Sequence, residues 1–286
     1  MRHVLNSALL VLAGFSMTAC ATWTEPLASE ICGPVKLELK YKDDGHLDTA
    51  YLMARFAGWD APDAAELAFF AQAPDDFAAA FSAPSGSARL LALQFERARL
   101  LSSVLHSLHG GGTAAVARRQ AGLAQLIAEE VAADGQSGER WRLGFLIHAL
   151  GDSYAHVWGV NQGGPGSVAY NPIVGHIPDG LVHGNPDDIR RNYANYARYS
   201  RALFAALDRG NGDRAALEAY LADIERAVFR DAAGGDTATT ALIRRISTDD
   251  YRRAAIGRQD CPSWTSELEY ETAVRPFLLE VESRLR

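Results

Sequence analysis

From residue 46 onward apolar positions recur every three or four residues, and alternating runs of β-branched residues are almost absent. That period belongs to helices with one buried face. It predicts helices over 46–58, 62–73, 87–109, 113–133, 139–158, 186–208, 214–229, 237–246, 249–256 and 266–284. Alanine, leucine, arginine and glutamate fill these stretches, and all four favour helix. The expected fold class is all-α, a compact multi-helix bundle forming a single domain over 46–286.

The breaks between helices carry their own signals. Gly110, Gly111 and Gly112 are expected to stop the helix before them, because glycine readily takes the left-handed conformation of a helix end. Asn185, Pro186, Asp187 and Asp188 read as a cap, a first-turn proline and two favourable charges. Between 159 and 185, glycine, proline and asparagine make a long connection without periodicity, and such a loop is usually functional.

Arg2 and His3 precede an apolar run from Val4 to Phe15 that is too short to span a bilayer comfortably, so residues 1–19 read as a targeting segment. Met17, Thr18 and Ala19 before Cys20 resemble the lipobox of bacterial lipoproteins. That resemblance implies lipid on Cys20, a tether over 20–45, and a place in the bacterial cell envelope, on the outer membrane facing the periplasm or the exterior. In that oxidising compartment Cys32 and Cys261 suggest one disulfide closing a very long loop. The alternative is two buried free thiols.

The formal charge of −7 disfavours a general nucleic-acid binder, which needs a basic surface to displace counterions. Some of the acids, however, sit where they would be metal ligands. His148, Asp152 and His156 are spaced i, i+4, i+8, on one helix face that drifts by ~40° per step and spans ~12 Å. An ion with bonds of ~2 Å is easily shared by His148 and Asp152, whereas His156 is far from that same ion. A cluster bridged by Asp152 fits better than a single site. Leu143, Ile147, Leu150 and Tyr154 suggest that the face is buried, where a carboxylate needs partners or a cation. The competing reading is a hydrogen-bonded core network.

The remaining histidines are His46 at the first helix, His106 and His109 on one face before the triple glycine, and His176 and His183 in the long loop. Histidine near a helix C-terminus is ordinary, and His183 reads equally well as a solvated loop residue. Pro74, Asp75 and Asp76 end the second helix, where negative charge is unfavourable unless something positive lies nearby.

These segments resemble the metal-dependent phospholipase C and single-strand nuclease superfamily, and more closely its bacterial and fungal heterokaryon-incompatibility-like members. The resemblance runs through His46 with Ala50 to Gly58, Ala71 to Asp76, Leu105 to His109, the His148, Asp152, His156 triple, and Gly175-His176, over roughly residues 46–207. It implies one ion held by Asp75 or Asp76, His106, His148 and Asp152, with Asp152 bridging to a second near His46. A third would be held by His156 and His176. The fold implied is a helical bundle with its metals in an open cleft.

The chain departs from the family in its N-terminus, in the four-residue step from Asp152 to His156, and in lacking an acid four residues after His176. Asp179 or Asp187 would have to substitute. The leading expectation is a zinc-dependent phosphoester hydrolase holding one to three ions, other divalent metals being possible. Asp75 and Asp152 would be the catalytic carboxylates, and a phosphoester or phospholipid the substrate. The alternatives are a non-catalytic lipoprotein with a structural or degenerate metal site, and a metal-buffering lipoprotein.

Overall fold

In the computed structural model, which describes residues 43–76, 81, 93–133, 139–158, 167–172, 189–231 and 268–286, a π-helical turn over Asp43–Asp48 runs into α1 (Thr49–Phe56). There follow α2 (Ala61–Asp76) and α3 (Phe95–Arg99), which continues as a π-helical turn over Leu100–Leu105. Next come α4 (Thr113–Ala133), α5 (Arg140–Ala155), and β1 (Val157–Trp158) paired antiparallel with β2 (Val168–Ala169). The order closes with α6 (Tyr193–Leu207), α7 (Arg214–Asp231) and α8 (Arg275–Leu285), the last entered through a π-helical turn over Tyr270–Val274. The architecture is all-α, and these elements fall in one compact unit.

The bundle is built around α5. Trp141, Leu143, Phe145, Leu146, Ile147 and Leu150 are all buried, and a helix that is apolar all round belongs in the middle. Helices α2, α4 and α6 pack on it, and α1 lies across α2 and α6. Gly144 sets the closest approach. A Cβ there would stand 2.7 Å from the Phe70 carbonyl carbon and 2.9 Å from the Ala71 nitrogen, and would collide with the Phe70 Cβ. The backbones of α2 and α5 meet at this point because residue 144 has no side chain.

Several boundaries differ from the periodicity. The helix expected over 62–73 runs on through Pro74 to Asp76. The proline forfeits only the bond to Phe70, in the last turn of a helix supported by α5. Residues 87–92 of the helix expected over 87–109 lie outside the described ones; the described helix runs from Phe95 and ends at Leu105, short of the glycines, because Ser107 itself turns left-handed at φ +52°.

Arg119 from α4 holds that break. Its guanidinium donates to the carbonyls of Ser103 and Val104 and to Ser107 Oγ, which satisfies acceptors that a helix end leaves over. The helix expected over 139–158 stops at Ala155, and the strand-favouring Val157 and Trp158 pair with β2 instead. The helix expected over 186–208 begins at Tyr193, after a turn over 189–192, and that expected over 266–284 begins at Tyr270. Asn185 to Asp188, the helices expected over 237–256, and Cys20, Cys32 and Cys261 lie outside the described residues. No helix among the described residues is long and apolar enough to cross a membrane.

Candidate metal centre

Four separate stretches send side chains to one point on the α5 surface. His46 comes from the π-helical turn before α1, Asp75 from the end of α2, His106 from the break after Leu105, and His148 and Asp152 from α5 itself. His148 and Asp152 meet because they are one helical turn apart. His106 reaches them because the chain leaves its helix there; had the helix continued to the glycines, the ring would point elsewhere. Gly151 makes room for His46, since a Cβ would lie 3.1 Å from His46 Cε1.

Asp152 is the hub. Its Oδ1 is 3.1 Å from His46 Nε2, and its Oδ2 is 3.0 Å from His106 Nδ1 and 3.3 Å from His148 Nε2. His106 Nδ1 and His148 Nε2 are themselves 3.1 Å apart. Asp75 Oδ2 lies 3.8 Å from His46 Nε2. The ligand atoms of His46, His148 and Asp152 all lie within 4.8 Å of one another, and so do those of Asp75, His106 and His148.

Main-chain carbonyls fix the tautomers. His148 Nδ1 donates to Ala71 O at 2.9 Å, and His106 Nε2 donates to Phe81 O at 2.9 Å. A carbonyl only accepts, so those nitrogens carry the protons and a neutral ring turns its lone pair inward. Two imidazole nitrogens and a carboxylate oxygen therefore face each other at 3.0–3.3 Å. Even a proton on His106 Nδ1 serves only one of its two neighbours. A tetrahedral ion with bonds of ~2 Å spaces its ligands ~3.3 Å apart, which is the spacing found here.

The electrostatics agree. Burial and the neighbouring His46 push His148 down to about 4, against the pull of Asp152, so it is neutral at neutral pH. Burial also pulls His46 down, but its hydrogen bond and charge pairing with Asp152, with Asp75 behind, leave it raised. Burial pushes Asp152 up, and the imidazoles of His156, His148 and His106 outweigh it and hold the carboxyl well below the usual range. Asp75 is lowered too: burial opposes ionisation, and His148, His46 and His106 override it. These buried His and Asp groups could hold a metal ion.

Of the residues singled out from the sequence, His46, Asp75, His106, His148 and Asp152 come together. His156 caps α5 and stands 3.6 Å from Asp152 Oδ2, but its Nδ1 donates to the carbonyl of His106 at 2.9 Å. It braces the His106 turn from the side. His109 does not share a face with His106. It turns away, with Nδ1 accepting from the Gly111 amide at 3.1 Å, and burial together with the Arg119 charge lowers it to about 4. Asp76 closes α2, and its side chain lies outside the described part, as do His176, Asp179, His183 and Asp187.

The resemblance implies an open cleft, yet the converging side chains are nearly sealed: His148 is 0% exposed, His106 1%, Asp152 3% and His46 5%.

Sequence reasoning did not find Gly144, Gly151, Arg119 or Tyr199. The two glycines had a signal. They flank His148 seven residues apart in a strong helix, where each costs ~1 kcal/mol relative to alanine.

Compared with known proteins, the chain matches no family model, no curated protein and no solved structure. The functional reading rests on the chemistry of the centre itself.

Proposed function

We propose that the chain is a zinc-dependent phosphoester hydrolase, phospholipase C-like, held in the bacterial envelope by lipid on Cys20. The observation that carries the reading is the convergence of lone pairs from His106, His148 and Asp152 at an ion's ligand spacing, with His46 and Asp75 beside them. Imidazole and carboxylate donors suit zinc, as they do other divalent metals such as iron or manganese, and Asp152 has one oxygen turned to each side for bridging. When bound there, zinc supplies a Lewis acid that lowers the pKa of water and neutralises phosphoryl charge. The chain's own part is to hold the imidazoles in one tautomer through Phe81 and Ala71, and to keep Asp152 ionised.

Elemental analysis of the mature protein, followed by assays on phospholipid, nucleotide and generic phosphodiester substrates, tests this. Bound zinc with product release is expected. Zinc-loaded protein that hydrolyses none of them overturns the catalytic half.

The near-complete burial of the cluster favours a second reading, a structural ion in a non-catalytic lipoprotein. His148→Ala and Asp152→Asn separate the two. Activity lost from a folded protein supports the hydrolase, and unfolding with no activity to lose supports the structural ion.

A further inference from the structure

Two histidines around Asp152 have their outward nitrogen fixed by a main-chain carbonyl, His106 Nε2 by Phe81 and His148 Nδ1 by Ala71, and a third, His156, gives its Nδ1 proton to the carbonyl of His106. His46 breaks this pattern. Its Nε2 faces Asp152 and Asp75, while its Nδ1 is buried and meets no hydrogen-bond partner among the described residues. A metal-binding imidazole nearly always gives its second N–H to an outer partner, which fixes both the tautomer and the ring.

Across Gly151 stands Tyr199 of α6. A Cβ at Gly151 would lie 3.2 Å from His46 Nδ1 and 3.2 Å from Tyr199 Cζ, the carbon that bears the hydroxyl. Tyr199 is 3% exposed, and its hydroxyl likewise has no hydrogen-bond partner among the described residues. Two buried polar atoms, each short of a partner, thus border one space that a glycine keeps open. A buried polar atom left unpaired is costly, and pairing these two removes both costs at once.

We infer that Tyr199 is a positioning residue for the centre, its hydroxyl oxygen accepting the His46 Nδ1–H directly or through one water so that Nε2 is held as the ligating nitrogen. This deepens the metal-binding reading above and rests on it. The neighbouring Tyr154, whose ring centre is 6.1 Å from that of Tyr199, has no part in it and serves as the control.

The experiment compares the full mature chain with Tyr199→Phe and Tyr154→Phe. Zinc affinity is measured by chelator competition, the cobalt-substituted visible spectrum is recorded, and folding is checked by circular dichroism. Tyr199→Phe should stay folded, lose ~10–100-fold in zinc affinity and shift the cobalt spectrum; Tyr154→Phe should match the wild type in all three.

A Tyr199→Phe protein with wild-type affinity and spectrum overturns the inference while leaving the metal site standing. A wild type that binds no zinc or cobalt overturns the metal reading itself. Should Tyr199→Phe fail to fold, nitrogen NMR of the zinc-loaded wild type decides. A slowly exchanging His46 Nδ1 proton is expected, and a freely exchanging one overturns the inference.

Discussion

His106 Nδ1 and His148 Nε2 lie 3.1 Å apart, although the opposite nitrogen of each ring already donates to a carbonyl. Two inward lone pairs beside a carboxylate repel unless a cation lies among them. Zinc should therefore stabilise the fold. At a free concentration 100 times its dissociation constant an ion adds ~2.7 kcal/mol, a rise of roughly 5–10 °C for a domain of this size. Thermal melts with zinc and with chelator measure it. In His148→Ala or His106→Ala the shift should vanish.

The pH dependence of the metal-free protein has two opposed parts. His46 is raised, so its contribution is fully present below the unfolded value of 6.5 and is lost as pH rises through its higher folded value. His148 is held to about 4, so the unfolded chain takes up a proton between 6.5 and 4 that the folded chain refuses, and stability drops as pH is lowered through that window. Zinc affinity should climb as pH passes the His46 value, because the ion must displace that proton. Denaturant midpoints and zinc titrations across pH 4–8 check both signs; affinity that is flat across the His46 titration contradicts the placement of His46 as a ligand.

Gly144→Ala should destabilise the protein by ~1–3 kcal/mol, the usual range for overpacking, because the new methyl meets the α2 backbone. It should also weaken zinc binding, since Ala71 O is pushed away from His148 Nδ1. Gly122→Ala is the contrast. There the methyl meets only the tip of Leu285, which can swing aside, and the change should be neutral or stabilise by up to ~1 kcal/mol. Urea unfolding of the two variants reads the difference.

Arg119→Ala should cost ~1.5–3 kcal/mol, the range for hydrogen bonds to a charged group, and lower zinc affinity by loosening the turn that carries His106. Arg119→Lys should not restore it, because a single ammonium cannot span two carbonyls and a hydroxyl. Burial brings the Arg119 guanidinium down only to about 10, so it stays charged at neutral pH. Full zinc affinity in Arg119→Ala is the outcome that contradicts this.

The α5 half of the centre was legible because it is local. His148 and Asp152 share a face by helical arithmetic, and the apolar residues around them announce a buried helix. His46, Asp75 and His106 were legible only as chemistry awaiting a fold, since nothing in their spacing fixes where they point. His106 and His109 look alike in the sequence, and what separates them is the left-handed Ser107 with Arg119 over it, two residues whose roles arise from tertiary contact. Pro74 reads as a helix end but is tolerated because α5 supports the last turn of α2. Tyr199 sits on an apolar helix stripe with Tyr196, where its ring reads as core and only the fold shows what its hydroxyl borders.

The sealing of the cluster has a kinetic meaning. With His148 wholly enclosed among the described residues, a cation held on it would load and leave with the breathing of the helices around α5. How long an ion stays is then set by how often the bundle opens as much as by the strength of its bonds, and a chain that captured its metal on first collapsing would keep it through long dilution.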